Sequence, residues 1–191
     1  MFDSRVRSPD LIALHRYWSE KSAGRTMPAR ADFDPVDMAA LLPYLFLVDV
    51  AANASGPLFR YRLIGTAIVA LLGRDSTGKG VDETLHGDKT PGIRRLFTLV
   101  CDTRAPVAIK GHIFFIRDRS WVFVEGLLLP LSANGADVNM IMVGLKQVPV
   151  PPKSASRSKD SDAVEIFAEP MMLAYPAPII DGPGQRDPER G

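Results

Sequence analysis

The pattern of apolar and polar positions changes period several times along the chain, and each period predicts an element. Leu11, Leu14 and Trp18, with Tyr17 beside them, recur at helical spacing and make a narrow apolar stripe over residues 9–22. Ser8-Pro9-Asp10 is a helix start, because serine can cap, proline suits the first turn and aspartate favours the positive end of the dipole. This helix needs a surface to lie on. An extended leader containing Pro28 follows, and Asp34-Pro35 predicts a second start, with a short helix over 36–42 that stops before Pro43. Residues 44–50 read as a strand and 51–57 as its turn into a second strand, in which Phe59, Tyr61 and Leu63 alternate with Arg60 and Arg62.

Gly65-Thr66 ends that strand, since glycine permits the turn and threonine can cap the next element. The helix over 67–72 is too short to stand alone and must be held by packing, with Gly73 as a left-handed cap. Residues 82–88 are polar and irregular. Ile93, Leu96, Phe97 and Val100 then give a clear helical period over 91–103. Three strands follow, 106–116, 121–131 and 137–147, with connections of hairpin length. The expected class is α+β.

Composition changes this picture at one end. Half of the chain's sixteen prolines lie beyond Gln147, with a Ser/Lys run at 153–161, so residues 148–191 read as a disordered tail. Its exception is 164–175, VEIFAEPMMLAY, apolar enough to dock on the body or a partner. The chain thus divides into a leader with its helix, 1–35, a globular domain, 36–147, and the tail. A net charge of +1 gives no footprint for nucleic acid or an anionic membrane. No apolar run approaches the length of a membrane span, and no signal-peptide core follows Met1, so the expected location is cytoplasmic. A single cysteine excludes an internal disulfide.

Gly73-Arg-Asp-Ser-Thr-Gly78-Lys79 matches G-x-x-x-x-G-K, but a helix precedes it, Gly80 stands where a magnesium-binding hydroxyl belongs, and no helix start follows. A structural loop is the expectation. The hairpin around Arg117 to Ser120 is more informative. Pairing 116 with 121 places His112 opposite Glu125 and Gly111 opposite Gly126, with Phe114 facing Phe123 and Ile116 facing Trp121. His112 and Glu125 are then a satisfied polar pair, a ligand anchor or an acid/base pair. Gly111 and Gly126 leave either a twisted hairpin or a bare strip that a ligand can approach. Both faces of these strands are apolar, so one needs its own cover, from the first helix or a second protomer. The expected outer face carries Trp121 and Phe123, and the expected interface set is Leu11, Leu14, Trp18, Phe114, Trp121 and Phe123. Cys101 reads as core, His15 as solvated, and Arg25, Arg30, Asp32 and Asp34 as ion pairs and caps that pin the leader, with a recognition surface as the alternative.

The element order resembles that of a PAS domain. The residues that carry the likeness are Tyr61-Arg62-Leu63-Ile64-Gly65-Thr66, the loop from Gly73 to Gly78, the leader pieces Tyr17-Trp18, Gly24-Arg25, Met27-Pro28-Ala29-Arg30-Ala31-Asp32, Asp34-Pro35 and Leu42-Pro43, and Glu125 to Ser132. The leader in particular is similar to that of a stand-alone PAS-like family common in alphaproteobacteria. The resemblance implies a five-stranded antiparallel sheet with short helices on one face, here with an extra N-terminal helix. It implies a signalling role without enzyme activity, and output through a separate regulatory protein such as a signalling kinase, with a homodimer as a further expectation. It names no cofactor, and His86 falls where some PAS domains hold haem. A sensor would carry a cavity near Tyr61, Gly111 and Gly126, with His112 and Glu125 as further ligand contacts. An interaction adaptor would fill it with Phe97, Ile109 and Met142.

Overall fold

The computed structural model describes residues 6–83, 90–112 and 122–149, together with the backbone of 165–168. Phe114, Trp121 and His86 lie outside the described residues. The described elements are α1 (Pro9–Ser22), β1 (Leu45–Ala51), β2 (Leu58–Ile64), α2 (Thr66–Leu72), α3 (Thr90–Thr103), β3 (Val107–His112), β4 (Phe123–Leu131), β5 (Met140–Gln147) and β6 (Glu165–Ala168). They build one antiparallel sheet in the order β2-β1-β5-β4-β3-β6. The five expected strands are present and the chain adds a sixth. That strand lies within 164–175, the part of the tail singled out as apolar enough to dock, and it pairs along the main chain with β3 at 165–168.

Two local expectations also change. Residues 36–42 form turns rather than a helix, with amides of Met38, Ala39 and Leu41 bonded three residues back. A 3-10 helix, Leu42–Tyr44, then runs through Pro43, which occupies a first-turn position where its missing N–H costs nothing. Thr66 does not cap: Gly65 is the residue before α2, and its amide donates to the Leu45 carbonyl at 2.8 Å. A Cβ at Gly65 would lie 2.4 Å from the carbonyl oxygens of Leu42 and Pro43, so the 3-10 helix and the end of β2 meet as bare backbone.

Helices cover both faces of the sheet. On one face Phe59 meets Phe97 of α3, ring centroids 5.4 Å apart, and Ile68 of α2 packs with Val122, Val124 and Leu145. On the other, α1 lies over β4 and β5 so closely that a Cβ on Gly144 would come within 2.8 Å of both Leu11 and Leu14. Trp18 closes that contact with a 2.9 Å bond from its indole N–H to the Pro130 carbonyl. Leu11, Leu14 and Trp18 are therefore buried within the chain, and the interface they form is between helix and sheet.

Candidate functional site

The most unusual side chain in the core is Glu125. It stands mid-sheet on β4, among leucines and valines, and is only 1% exposed. A carboxylate there must have partners, because isolated charge in an apolar interior costs many kcal/mol. Its partners are the main chain at the start of α1: Oε2 accepts the amides of Arg7 and Ser8, each at 2.8 Å. Ser8 occupies the cap position but its hydroxyl makes no capping bond. The strand carboxylate thus takes the amides of the cap residue and of the residue before it, which the serine hydroxyl would not have capped, and it places negative charge at the positive end of the helix dipole.

The cations around it are set by strand pairing. Lys110 of β3 stands directly opposite Glu125, with Nζ 3.7 Å from Oε1. Lys146 of β5 stands opposite on the other side. Its ammonium reaches Asp10 of α1 at 2.7 Å and lies 3.3 Å over the centre of the Tyr44 ring. Three strands therefore present a lysine, glutamate, lysine row beneath the first turn of α1. It holds the helix by directed bonds at the end where the apolar stripe gives out.

This geometry corrects the expected hairpin register. His112 pairs with Phe123 rather than Glu125, its ring edge-on to the phenylalanine at 5.0 Å. Gly111 pairs with Val124, and Gly126 with Ile109. The shift is two residues, so every side chain keeps its face while its partner changes. The observed register sets a lysine against the buried carboxylate, and it lets Ile109 fill the space above Gly126, where a Cβ would lie 2.7 Å from Ile109 Cγ1. The bare Gly111/Gly126 strip does not form. His112 and Glu125 still share the α1 face, and Phe123 lies on it with them. His112 Nδ1 and Glu125 Oε1 are buried without a hydrogen-bond partner among the described residues.

Tyr61 lies on the opposite face, 6.0 Å from Phe46, and burial raises its phenol well above the ordinary value, which keeps it neutral. Met142 pairs with Leu47 and Leu129 on the α1 side, so it cannot fill a space beside Phe97 as expected. Cys101 is half-buried, and desolvation with Asp102 nearby pushes its thiol up to about 12, unsuited to nucleophilic work. His15 is half-buried and stacked on Trp18 rather than simply solvated. In the leader Arg25 bridges Asp32 at 2.6 Å and bonds the Lys21 carbonyl at the end of α1, Asp34 accepts the Val36 amide at 2.8 Å, and Arg30 donates to the Phe33 carbonyl at 3.1 Å. Among the described residues, no cluster of His, Cys, Asp and Glu could hold a metal and no helix is long and apolar enough to cross a membrane. Sequence reasoning singled out Glu125 but missed Lys110, Lys146 and the amides of Arg7 and Ser8. Their signal was the charge alternation across three strands, visible only in the true register.

Comparison with curated proteins and with solved structures returned no match. A family profile described as a PAS domain matches residues 6–145, from the residues clamped by Glu125 almost to the end of β5. The chain therefore belongs to the PAS domain family, whose members are in general sensory and signalling modules.

Proposed function

We propose that this PAS domain signals by binding a regulatory protein, such as a signalling kinase, and that its core takes no small ligand. The observation that supports the reading is the filling of the face beneath α2 and α3. Ile109 occupies the space over Gly126, Phe97 lies against Phe59, and Leu145 with Val124 closes under Ile68. Side chains stand where a sensor of the expected kind would hold its ligand, and a module so packed has its surfaces left to work with. Native mass spectrometry of the gently purified full chain tests this. The expected species are the polypeptide alone, its homodimer or a complex with another polypeptide. A stoichiometric small molecule overturns the reading.

One observation favours a second reading. His112 Nδ1 and Glu125 Oε1, both buried and without a hydrogen-bond partner among the described residues, share the α1 face, with the Lys110 ammonium 3.7 Å from Oε1. A small polar ligand donating to both would satisfy them, with α1 as its lid. The same measurement distinguishes the two, since such a ligand adds its mass and the variant Glu125→Gln would lose it.

A further inference from the structure

Without β6 the sheet would end at β2 and β3, and both carry main-chain bonds on that side, by different means. On β2 the cover is local: Tyr61 donates to the Lys79 carbonyl, and Gly78 and Val81 donate to the carbonyls of Tyr61 and Phe59. On β3 the cover comes from the tail. Val107, Ala108, Ile109 and Lys110 pair with Ala168, Phe167, Ile166 and Glu165. Residues 148–164 join β5 to this strand. Three strand spacings, about 14 Å, separate β5 from β6, whereas the seventeen connecting residues reach about 55 Å when extended. The connection is longer than the gap requires, so its length does not force β6 onto this edge; pairing holds the strand there, aided by a local concentration of order millimolar. Four paired residues are a short ladder.

The register also carries a chemical preference. Lys146, Glu125, Lys110 and Glu165 fall on one rung across β5, β4, β3 and β6, alternating in sign. Directly opposed unlike charges favour a register, and apolar positions follow at 166 and 167. We propose that the outer edge of β3 is a strand-accepting docking site, held closed in cis by residues 165–168. A partner protein enters by replacing β6 with an extended segment that sets an acidic residue opposite Lys110 and apolar residues at the next two positions. This rests on the interaction reading above and assigns its surface.

Hydrogen exchange on the full chain tests it, comparing wild type with a variant carrying both Ile166→Pro and Phe167→Pro. Successive strand residues direct their amides to opposite sides, so the double change removes a donor to β3 whatever the phase. The outward-facing amides among residues 107–110 should exchange at least tenfold faster in the variant. A free peptide of residues 162–171 should slow them again in the variant, and bind wild type at least tenfold more weakly because the edge is occupied. Unchanged exchange, failure of the peptide to restore protection, or equal binding to both proteins overturns the proposal. Wild-type protection that falls on dilution also overturns it, since the strand would then come from a second copy. Failure here removes this edge and leaves an interaction module with another surface, whereas a bound small molecule in the mass spectrum removes the interaction reading itself.

Discussion

Both faces of the sheet have apolar cover, but only one of them adds buried charge. Beneath α2 and α3 the contacts are apolar and aromatic, and the missing side chain of Gly126 is made good by Ile109 of the adjacent strand. Beneath α1 the missing side chain of Gly144 is made good by the helix itself, through Leu11 and Leu14, and the contact ends in a buried carboxylate bonded to main-chain amides. Apolar burial is strong but has no direction, and would tolerate a helix that slides. Charge-assisted hydrogen bonds have direction and fix the helix at one point. Apolar burial therefore supplies cohesion on both faces, and the α1 face alone adds position through directed bonds.

That contrast breaks most visibly at Phe97. Phe97→Ala should cost about 3–5 kcal/mol, lowering the melting temperature by roughly 10 °C. Its effect is global, so α1 amides should keep their exchange rates relative to the rest of the core. Calorimetry showing a loss under about 1 kcal/mol would contradict the assignment. Next comes Glu125→Ala, at about 2–4 kcal/mol, because two amides lose a charged acceptor in a dry site. Here exchange should rise first in α1, and Glu125→Gln should recover about half of the loss, since an amide oxygen still accepts both bonds. Fraying of β5 before α1 would show that the carboxylate does not position the helix.

Smaller still, about 1–3 kcal/mol each, are Gly126→Ala and Gly144→Ala, which push a methyl into side chains rather than backbone. They should separate the faces cleanly: the second accelerates exchange along α1, the first does not. The smallest effect belongs to Asp32→Asn. The Ala29 amide and then Arg25 hold the Asp32 carboxyl below its ordinary value of 3.8. A carboxyl lowered in the folded state stabilises above its unfolded pKa and ceases to as pH falls through the folded one. The difference in denaturation midpoint between wild type and variant should be level above about pH 5 and vanish under strong acid. A gap that widens on acidification would reverse the sign.

Periodicity made α1, α2, α3 and five strands legible because each pattern reports burial, which local sequence controls. Leu11, Leu14 and Trp18 announced a face that required cover, and the cover is the sheet. Pairing register was not legible in the same way. A two-residue slip of β3 against β4 leaves every apolar residue on its proper face, so only the charge rung distinguishes the two registers. That rung includes Lys146, about twenty residues beyond Glu125 and on another strand. Ser8 was legible as the cap position from local propensity, but its hydroxyl makes no cap bond and the acceptor of its own amide comes from a distant strand. Strand β6 was legible only as an apolar segment able to dock, because its strand form and its partner edge depend on pairing with β3 and not on its own composition.

The loop at 73–80 has one more consequence. Its turn is shaped by the Asp75 carboxylate accepting the Thr77 amide, and its glycines at 73 and 78 adopt positive φ. It thereby brings residues 78–81 against β2, whose Leu58 and Leu63 remain 46% and 47% exposed. An uncovered outer strand with apolar side chains is a seed for cross-β stacking of one molecule on the next. What resembles a phosphate cradle in the sequence occupies this edge with its own main chain, so removing the loop's bonds should shorten colloidal lifetime at high concentration.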